Sequence, residues 1–313
     1  MKTCKLTIVI PVYNREKFLS RTLSSVSMQT YTDFHLVLVD NASSDASLRI
    51  CQDFASQTFE NSKMEVTVLR ELRKGASFAR NAGLCICNTP YVYFFDSDDE
   101  MSPDFVEKVT DLMNSDFDLM CFPVRQVQNG VEQKRVFQSY AAAYDHILNS
   151  MLSTQSMLFR TDFLRGVGGW NESLLTWDDW ELGERILLHH PRVKWLPSFC
   201  FHRIYVHHES ITGEGFSSRL EWLAKAMDAA VQNVRSLLKE GGERKKCLRA
   251  LFYRYAILQG HLRAEKNMNG ALECTLQANR ISVSWCEKCI WKALSCYVAH
   301  GGRGAWRMAK FLL

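Results

Sequence analysis

Three carboxylates lie within four consecutive residues, Asp96-Ser97-Asp98-Asp99, directly after the apolar run Tyr91 to Phe95. Carboxylates this close repel one another, so a cation is expected to offset their charge. Mg²⁺ and Mn²⁺ take oxygen ligands and typically bind one or two carboxylates together with substrate phosphates. The alternative is a solvated acidic turn before a helix, where aspartate complements the helix dipole. Taken alone, the segment is compatible with either interpretation.

A sheet must position this acidic segment, because the first half of the chain alternates strand-like and helix-like patterns. The strand-like runs are Leu6 to Ile10, Leu36 to Val39, Val66 to Leu69 and Tyr91 to Phe95. Their alternation with helical spacing predicts an α/β fold, a mostly parallel sheet with helices on both faces. Such sheets bind ligands beyond the carboxyl ends of their strands, where Asp40 and Asp96 should face one crevice.

The chain changes character after residue 216. Residues 1–216 hold 27 Asp and Glu against 21 Lys and Arg, whereas residues 217–313 hold 7 against 17, a net charge of +10. Apolar residues of the second part recur at helical spacing, so a C-terminal helical extension is expected over 217–313. Basic amphipathic helices lie on anionic lipid, which makes peripheral membrane contact one interpretation and a solvated helix face the other. No nucleic-acid recognition motif accompanies the charge, so no nucleic-acid partner is expected.

Two nucleotide-binding signatures are absent from the sequence. The first strand-to-helix turn, PVYNREKF, contains no glycine, and no G-x-x-x-x-G-K-[ST] segment occurs. A dinucleotide-binding dehydrogenase and a P-loop NTPase are therefore both disfavoured.

Five segments, taken together in this order, carry a resemblance to a known family. They are TIVIPVYNR (7–15), VDNASSD (39–45), KGASFARNAG (74–83), YFFDSDD (93–99) and WDDWELGERI (177–186). Over roughly residues 5 to 211 the chain resembles the inverting, nucleotide-sugar-dependent glycosyltransferases of family two, which have the A-type fold. The resemblance implies a catalytic domain over 1–216. It also implies transfer of a sugar from a nucleoside-diphosphate sugar, expected to be a UDP-sugar, to a hydroxyl of a saccharide or lipid-linked saccharide.

The resemblance also implies roles for individual residues. The nucleotide-binding positions are Pro11, Tyr13, Asp40, Arg80, Asp96 and Ser97. Asp40 would accept a hydrogen bond from the base, and Asp96 would bond to the ribose. Asp98 would bind Mn²⁺ or Mg²⁺ at the diphosphate, with His207 or His208 approaching the metal.

Asp179 would be the general base, with Asp178 as its closest rival. In inverting transfer a carboxylate is a reasonable base for the acceptor hydroxyl, and a divalent cation stabilises the departing diphosphate. One of the two separated acid groups would hold the metal and the other would take the proton. Trp177 and Trp180 are candidate acceptor contacts, with core packing as the alternative.

Two positions depart from the family pattern. After the second strand the family often has two acids, a glycine and a serine, whereas this chain has Asp40-Asn41-Ala42-Ser43. The usual Glu-Asp pair before the helix that bears the base is Asp178-Asp179 here. Asp40 and the base position are retained, while expectations about selectivity for the base are weakened.

Two rival functions are compatible with this architecture. A sugar nucleotidyltransferase would usually carry a glycine-rich, basic first loop to handle a triphosphate, and PVYNREKF is not such a loop. A catalytically inactive nucleotide- or carbohydrate-binding relative would be expected to lose its acids, but Asp96, Asp98 and Asp179 are all present.

The sequence also bears on location. No apolar run approaches the roughly 20 residues needed to span a bilayer, and the start lacks the form of a signal peptide. The eleven cysteines fit buried free thiols better than a disulfide framework in a chain of this length. We therefore expect a cytoplasmic protein, associated with the inner face of the cell membrane if the basic helices bind lipid.

Overall fold

A computed structural model describes residues 4–61, 64–113, 116–135, 142–206, 215–281 and 283–313. The chain forms two compact units: the first comprises Met1–Ser139, Leu152–Leu175 and Pro191–His207, and the second comprises Tyr140–Met151, Thr176–His190 and His208–Leu313. This division differs from the predicted boundary after residue 216, because residues 140–151 and 176–190 group with the C-terminal helices. The extent of the catalytic domain stays a prediction.

All strands of the described residues belong to the first unit. They are β1 Leu6–Val12, β2 His35–Asp40, β3 Glu65–Arg70, β4 Tyr91–Phe94, β5 Glu100–Met101, β6 Leu119–Cys121, β7 Arg125–Gln128, β8 Val131–Lys134, β9 Met157–Arg160, β10 Val193–Trp195 and β11 His202–Tyr205.

Helices occur in both units. Those of the first unit are α1 Leu19–Ser27, α2 Ser47–Asn61, α3 Ala76–Ile86, α4 Phe105–Leu112 and α6 Thr161–Gly166. Those of the second unit are α5 Ala143–Asn149, α7 Asp178–Leu188, α8 Leu220–Leu237, α9 Gly242–Ala264, α10 Met268–Ala278, α11 Trp285–Ala299 and α12 Ala305–Phe311.

The main sheet has the strand order β10-β6-β9-β4-β1-β2-β3, and β9 alone runs antiparallel to its neighbours. β1, β2 and β4 are buried along their whole lengths, which explains their continuous apolar runs. The predicted mostly parallel α/β sheet is thereby confirmed. Chain order runs outward from β1 to β2 and β3, whereas β4 lies on the other side of β1. Ligands of such sheets bind at this reversal, between the carboxyl ends of β1 and β4.

A second sheet, with the order β5-β11-β7-β8, was not expected from the sequence. Its β7–β8 hairpin turns at Asn129 and Gly130, whose φ angles of 50° and 77° suit a tight two-residue loop. His202 of β11 is fully buried among aromatic rings that include Phe105, Phe122 and Tyr93.

The second unit is helical, as expected for the C-terminal part of the chain. Its longest helix, α9, packs against α5, α10 and α11. A Cβ atom added at Gly260 of α9 would lie 2.5 Å from Val298 Cβ and 2.8 Å from Ser295 O, so only glycine allows α9 and α11 to approach this closely.

The eleven cysteines all lie within the described residues, and none forms a disulfide. Only five of them are buried, so the expectation of mostly buried thiols is wrong. Among the described helices, none combines the length and the apolar character required to cross a bilayer.

Candidate active site

The loops after β1 and β2 are joined by hydrogen bonds. Asn14 Oδ1 accepts from the backbone N–H of Ser44 at 2.8 Å, and the backbone N–H of Asn14 donates to Ser43 Oγ at 3.1 Å. The next residue repeats the pattern, since Arg15 N donates to Ser47 Oγ at 2.8 Å. Asn14 has a φ of 50°, a left-handed conformation that asparagine tolerates better than most residues. These bonds fix one side of the crevice at the carboxyl end of the sheet.

Asp40 ends β2 and has a fully buried side chain. Its Oδ1 accepts weakly from Ser43 N at 3.3 Å, while its Oδ2 lies 3.5 Å from Arg70 Nε and accepts no hydrogen bond. Burial together with the negative charge of Asp40 raises the pKa of the neighbouring Cys51 thiol to about 12. A buried carboxylate oxygen without a hydrogen bond is costly unless a ligand donates to it.

Asn41 holds the segment that leads into α3. Its Nδ2 donates to Glu71 O at 3.0 Å and to Arg73 O at 2.7 Å, and its Oδ1 accepts from Gly75 N at 2.8 Å. An aspartate could not make the first two bonds, which gives the departure from the family pattern a structural reason. Ala42 has a φ of 57°, the conformation for which the family's glycine is suited.

The acidic segment after β4 is held by two side chains from other elements. Arg80 of α3 donates to Asp96 Oδ1 at 2.9 Å and stacks 4.3 Å from the ring centre of Trp170. Gln155 donates to Asp96 Oδ2 at 2.6 Å and to Asp99 Oδ2 at 2.5 Å. Gln155 is itself buried in a 3-10 turn, Thr154–Ser156, and its backbone oxygen accepts from Tyr93. Arg80 and Gln155 therefore each donate to a different carboxylate oxygen of Asp96 and hold its side chain in place.

The remaining carboxylates differ in their surroundings. Asp99 is buried and accepts from Tyr205 N at 2.9 Å, and burial together with the charges of Asp98 and Asp96 raises its pKa well above the usual range. Asp98 is partly accessible and lies 3.4 Å from Arg15 Nε. This contact connects the loop after β4 with the loop after β1.

The residues present fit a divalent cation. Burial and then the negative charges of Asp98 and Asp96 raise the pKa of Asp99, and a hard cation would relieve the repulsion among these three carboxylates. Within the described part of the chain, no cluster of three or more His, Cys, Asp or Glu side chains has a ready-made ligand arrangement. Carboxylates such as those of Asp96 and Asp98 are suited to an ion that the phosphates of a ligand would also hold.

The other predicted nucleotide positions also lie at the ends of these strands. Tyr13 follows β1 and is 44% exposed, with Lys74 Nζ 5.9 Å from its ring centre. Pro11 is buried in β1. It lies two residues beyond Val9, the last residue of β1 that pairs with β4, so its missing N–H interrupts no hydrogen bond of the β1–β4 ladder. Ser97 is buried beside Asp96. The structure thus brings the loops that bear Tyr13, Asp40 and the acidic segment to one edge of the sheet.

The predicted base belongs to the second unit. Asp178 and Asp179 open α7, where negative charge is favourable near a helix N-terminus. Asp179 Oδ1 accepts from Trp180 N at 2.7 Å, and Asp178 and Asp179 are both partly accessible. The convergence of these acids with Asp98 stays a prediction.

The two predicted acceptor tryptophans differ. Trp180 is 1% exposed, and its indole N–H donates to Ile147 O at 3.3 Å, so it packs inside the second unit. Trp177 is half-buried, with a φ of 56° that a bulky residue rarely adopts. We therefore favour Trp177 over Trp180 as an acceptor contact. The two predicted metal-approaching residues, His207 and His208, lie outside the described residues.

Sequence reasoning missed three residues of this site. Gln155 and Arg15 act through contacts that no local pattern reveals, since Gln155 lies 59 residues from Asp96. Asn41 was noticed only as a departure from an acid. A capping box at Ser153 and Ser156 was a readable local signal for the turn that carries Gln155.

Comparison with known proteins supports the resemblance to the glycosyltransferases of family two. The family model described as glycosyl transferase family 2 matches residues 7–167. Among curated relatives, glycosyltransferase GlyA of Streptococcus pneumoniae is 38% identical over 103 residues, covering 33% of this chain and 14% of GlyA. The teichoic acid poly(glycerol phosphate) polymerase of Staphylococcus epidermidis is 30% identical over 184 residues, covering 56% of this chain and 25% of that protein. The chain thus spans a quarter or less of the length of these two relatives.

A solved structure shows the fold over almost the whole chain. S. aureus TarS 1-349, solved in complex with UDP-GlcNAc, superposes with a TM-score of 0.73 at 17% sequence identity, covering 97% of this chain and 90% of that one. The predicted glycosyltransferase A-type fold is thereby confirmed. With a family match that extends over half of its length, the chain belongs to glycosyl transferase family 2, a family of glycosyltransferase enzymes.

Proposed function

We propose that this protein transfers a sugar, with inversion, from a UDP-sugar to a hydroxyl of a saccharide or lipid-linked saccharide. The observation that carries the proposal is Asp40 at the carboxyl end of β2, whose buried Oδ2 accepts no hydrogen bond and has the guanidinium of Arg70 beside it, with Nε 3.5 Å away. The uracil ring presents an N–H donor that such an oxygen can accept. The complex of TarS with UDP-GlcNAc supports the choice of a uridine nucleotide.

The nucleoside is held by the three loops that bear Tyr13, Asp40 and the acidic segment. Tyr13, 44% exposed, offers a ring face to the base, and Asp96, fixed by Arg80 and Gln155, accepts from the ribose. Asp98 would hold Mn²⁺ or Mg²⁺, with Asp96 nearby, and such an ion would supply positive charge to the departing diphosphate. Arg15 adds a guanidinium 3.4 Å from Asp98.

Asp179 accepts the proton of the acceptor hydroxyl. Its position in the first turn of α7 keeps its carboxylate close to the helix N-terminus, and a carboxylate is a suitable base for this proton. Asp178 precedes it and provides a matched control, because the same substitution there removes the same charge from the same turn.

We also propose that the C-terminal helices contact the inner face of a membrane. Met268, Leu272 and Leu276 recur every four residues of α10 and are each about 60% exposed, which gives this helix an apolar outer stripe. Trp285 and Phe311 are 77% and 91% exposed. The net charge of +10 over 217–313 matches an anionic lipid surface. Flotation with anionic and neutral vesicles tests the contact; equal binding to both, or no loss on Leu272→Glu, contradicts it.

The donor is identified by incubating the protein with a panel of nucleotide-sugars and Mn²⁺, without acceptor, and measuring the nucleoside diphosphate released by slow hydrolysis. We expect release from a UDP-sugar. Pyrophosphate formed from a sugar 1-phosphate and UTP would instead indicate a nucleotidyltransferase. No turnover, with UDP still bound, would indicate an inactive binding relative.

Residue roles are separated by calorimetry and transfer assays on variants. Asp179→Asn should abolish transfer but retain UDP and Mn²⁺ binding, whereas Asp178→Asn should retain measurable transfer. Asp98→Ala should weaken metal-dependent UDP binding. Transfer at the wild-type rate by Asp179→Asn would refute the assignment of the base, and unchanged binding in Asp98→Ala would refute the metal assignment.

A further inference from the structure

A pocket of about 260 Å³ lies within the second unit, beside the start of α7. One wall is a single face of α9, where Arg254, Ile257, Leu258 and His261 follow the spacing of adjacent helical turns. The rest of the lining comes from Trp177, immediately before Asp178, and from the turn that precedes α8, with Phe216 and Arg219. The pocket therefore adjoins, in the chain, the residue pair proposed to contain the base.

The polar side chains of the pocket are basic. Two guanidinium groups and one imidazole line it, and its seven lining residues include no Asp or Glu. His261 stacks on Phe216 at 4.2 Å between ring centres and an interplanar angle of 9°. Burial and the charge of Arg254 lower the pKa of His261, so its ring is neutral near pH 7 and can donate or accept a hydrogen bond. The seven lining residues thus offer positive charge to a ligand, while the nearby carboxylate of Glu265 accepts from Phe216 N at 2.8 Å.

Arg254 is held in one orientation. Its Nη1 donates to Leu148 O at 2.8 Å and its Nη2 to Ser150 Oγ at 2.9 Å, while its guanidinium lies 4.5 Å from the ring centre of Trp177. A guanidinium fixed in this way is suited to oxyanions, because its planar fork matches carboxylate and phosphate oxygens. Lysine could supply the charge but not the planar stack.

Trp177 contributes an aromatic surface in an unusual backbone conformation. Its φ of 56° costs energy for a bulky residue, and such conformations persist where the surroundings enforce them. The left-handed turn places an indole in the pocket wall directly before the first helical residue of α7. Aromatic faces suit the C–H faces of sugar rings, so the pocket combines a surface for a sugar with groups that bind an anion.

We infer that this pocket binds the acceptor and that the acceptor is an anionic saccharide, one whose sugar unit bears a phosphate or a carboxylate. The identification of the bound saccharide as the acceptor rests on the proposed glycosyl transfer. The chemical selectivity follows from Arg219, Arg254 and Trp177 alone.

The test measures binding of small sugars to the full chain by calorimetry, in the presence of UDP and Mn²⁺. The probes are glucose 6-phosphate, glucuronate and methyl glucoside, which share a ring and differ in charge. We expect at least one anionic probe to bind at least tenfold more tightly than the neutral one, and to weaken as salt is raised. The stronger of the two anionic probes identifies phosphate or carboxylate as the preferred group.

Variants then locate the site. Arg254→Gln should reduce affinity for the preferred anionic probe at least tenfold, and Arg254→Lys should restore only part of it. Arg219→Gln provides a second test in case the loss of the contacts to Leu148 and Ser150 unfolds Arg254→Gln. Lys245→Gln, on the exposed side of the same helix, removes one positive charge outside the pocket and should leave the affinity unchanged.

Equal binding of the three probes overturns the inference, as does full affinity in both arginine variants. Failure of the proposed function has a different signature, because UDP and Mn²⁺ would then not bind to the wild-type protein while the anionic probe still bound in an arginine-dependent way.

Discussion

Replacing Asn41 by aspartate tests how the segment that leads into α3 is held beside the proposed nucleotide site. Asn41 is 3% exposed, and its amide nitrogen donates to Glu71 O and Arg73 O at 3.0 and 2.7 Å. In Asn41→Asp both bonds are lost, at about 1 kcal/mol each, and a buried carboxylate faces two carbonyl oxygens, which adds about 1–3 kcal/mol. We expect the free energy of unfolding to fall by about 3–5 kcal/mol at pH 8.

Asn41→Ala provides the comparison. It loses all three side-chain bonds, but the freed carbonyls of the partly exposed 71–73 segment can reach water, so the loss should be about 2 kcal/mol. A change of 1 kcal/mol corresponds to about 2–4 °C for a unit of this size. The melting temperature should therefore fall by roughly 10 °C for the aspartate variant and roughly 5 °C for the alanine variant.

The two Asn41 variants should also differ in how their stability depends on pH. Only the protonated form of the introduced carboxyl can donate to a carbonyl, so its pKa in the folded state should lie above the unfolded value of about 3.9. The penalty is then complete above the folded-state pKa and decreases as pH falls through it. Thermal melts of the two variants from pH 8 to pH 4.5 should converge or cross. If Asn41→Asp is as stable as the wild type at pH 8, or more stable than Asn41→Ala there, the assigned role of Asn41 is refuted.

Three further predictions concern single sites. Gln155→Glu adds a fourth carboxylate against Asp96 and Asp99, so the free energy of unfolding in EDTA should fall by about 3–5 kcal/mol. In thermal melts Mn²⁺ should restore part of this stability, whereas Gln155→Met should show no such recovery. Equal stability of Gln155→Glu and the wild type in EDTA would contradict the prediction. Burial lowers the pKa of His202 to about 3, so the unfolded state takes up a proton at a higher pH than the folded state does. The free energy of unfolding should therefore fall by about 2 kcal/mol between pH 7 and pH 5. In denaturant titrations His202→Phe should remove this pH dependence, and its persistence in that variant would contradict the prediction. Ala42→Gly should raise stability by roughly 0.5–1 kcal/mol because the φ of 57° suits glycine, while Ala55→Gly within α2 should lower it; a loss at both positions would argue against the left-handed turn.

Much of the first unit could be predicted because its central strands are buried on both faces. A continuous apolar run such as Leu6 to Ile10 has few alternatives, and the residue that follows such a strand must lie at the edge of the sheet. This is why the sequence alone assigns Asp40 and Asp96 to one crevice. The Asn129-Gly130 pair is an equally strong local signal for the β7–β8 hairpin of the second sheet.

Other features depend on contacts between distant parts of the chain. β9 enters the sheet antiparallel between β4 and β6, and its four residues carry no sign of that direction. The seven residues of α5 are too few for a periodic pattern, so their grouping with the C-terminal helices could not be inferred. The selection of Gln155 as the partner of two aspartates follows from the same long-range folding.

The hydrogen bonds between the loops after β1 and β2 have a consequence for ligand binding. Fixing a backbone residue costs about 1–2 kcal/mol of conformational entropy, and here that cost is met during folding through the contacts of Asn14 with Ser43 and Ser44 and of Arg15 with Ser47. A ligand entering between these loops therefore encounters a rigid receptor and need not order it. Association should be governed by diffusion and charge, and affinity differences among nucleotides should appear mainly in their rates of dissociation.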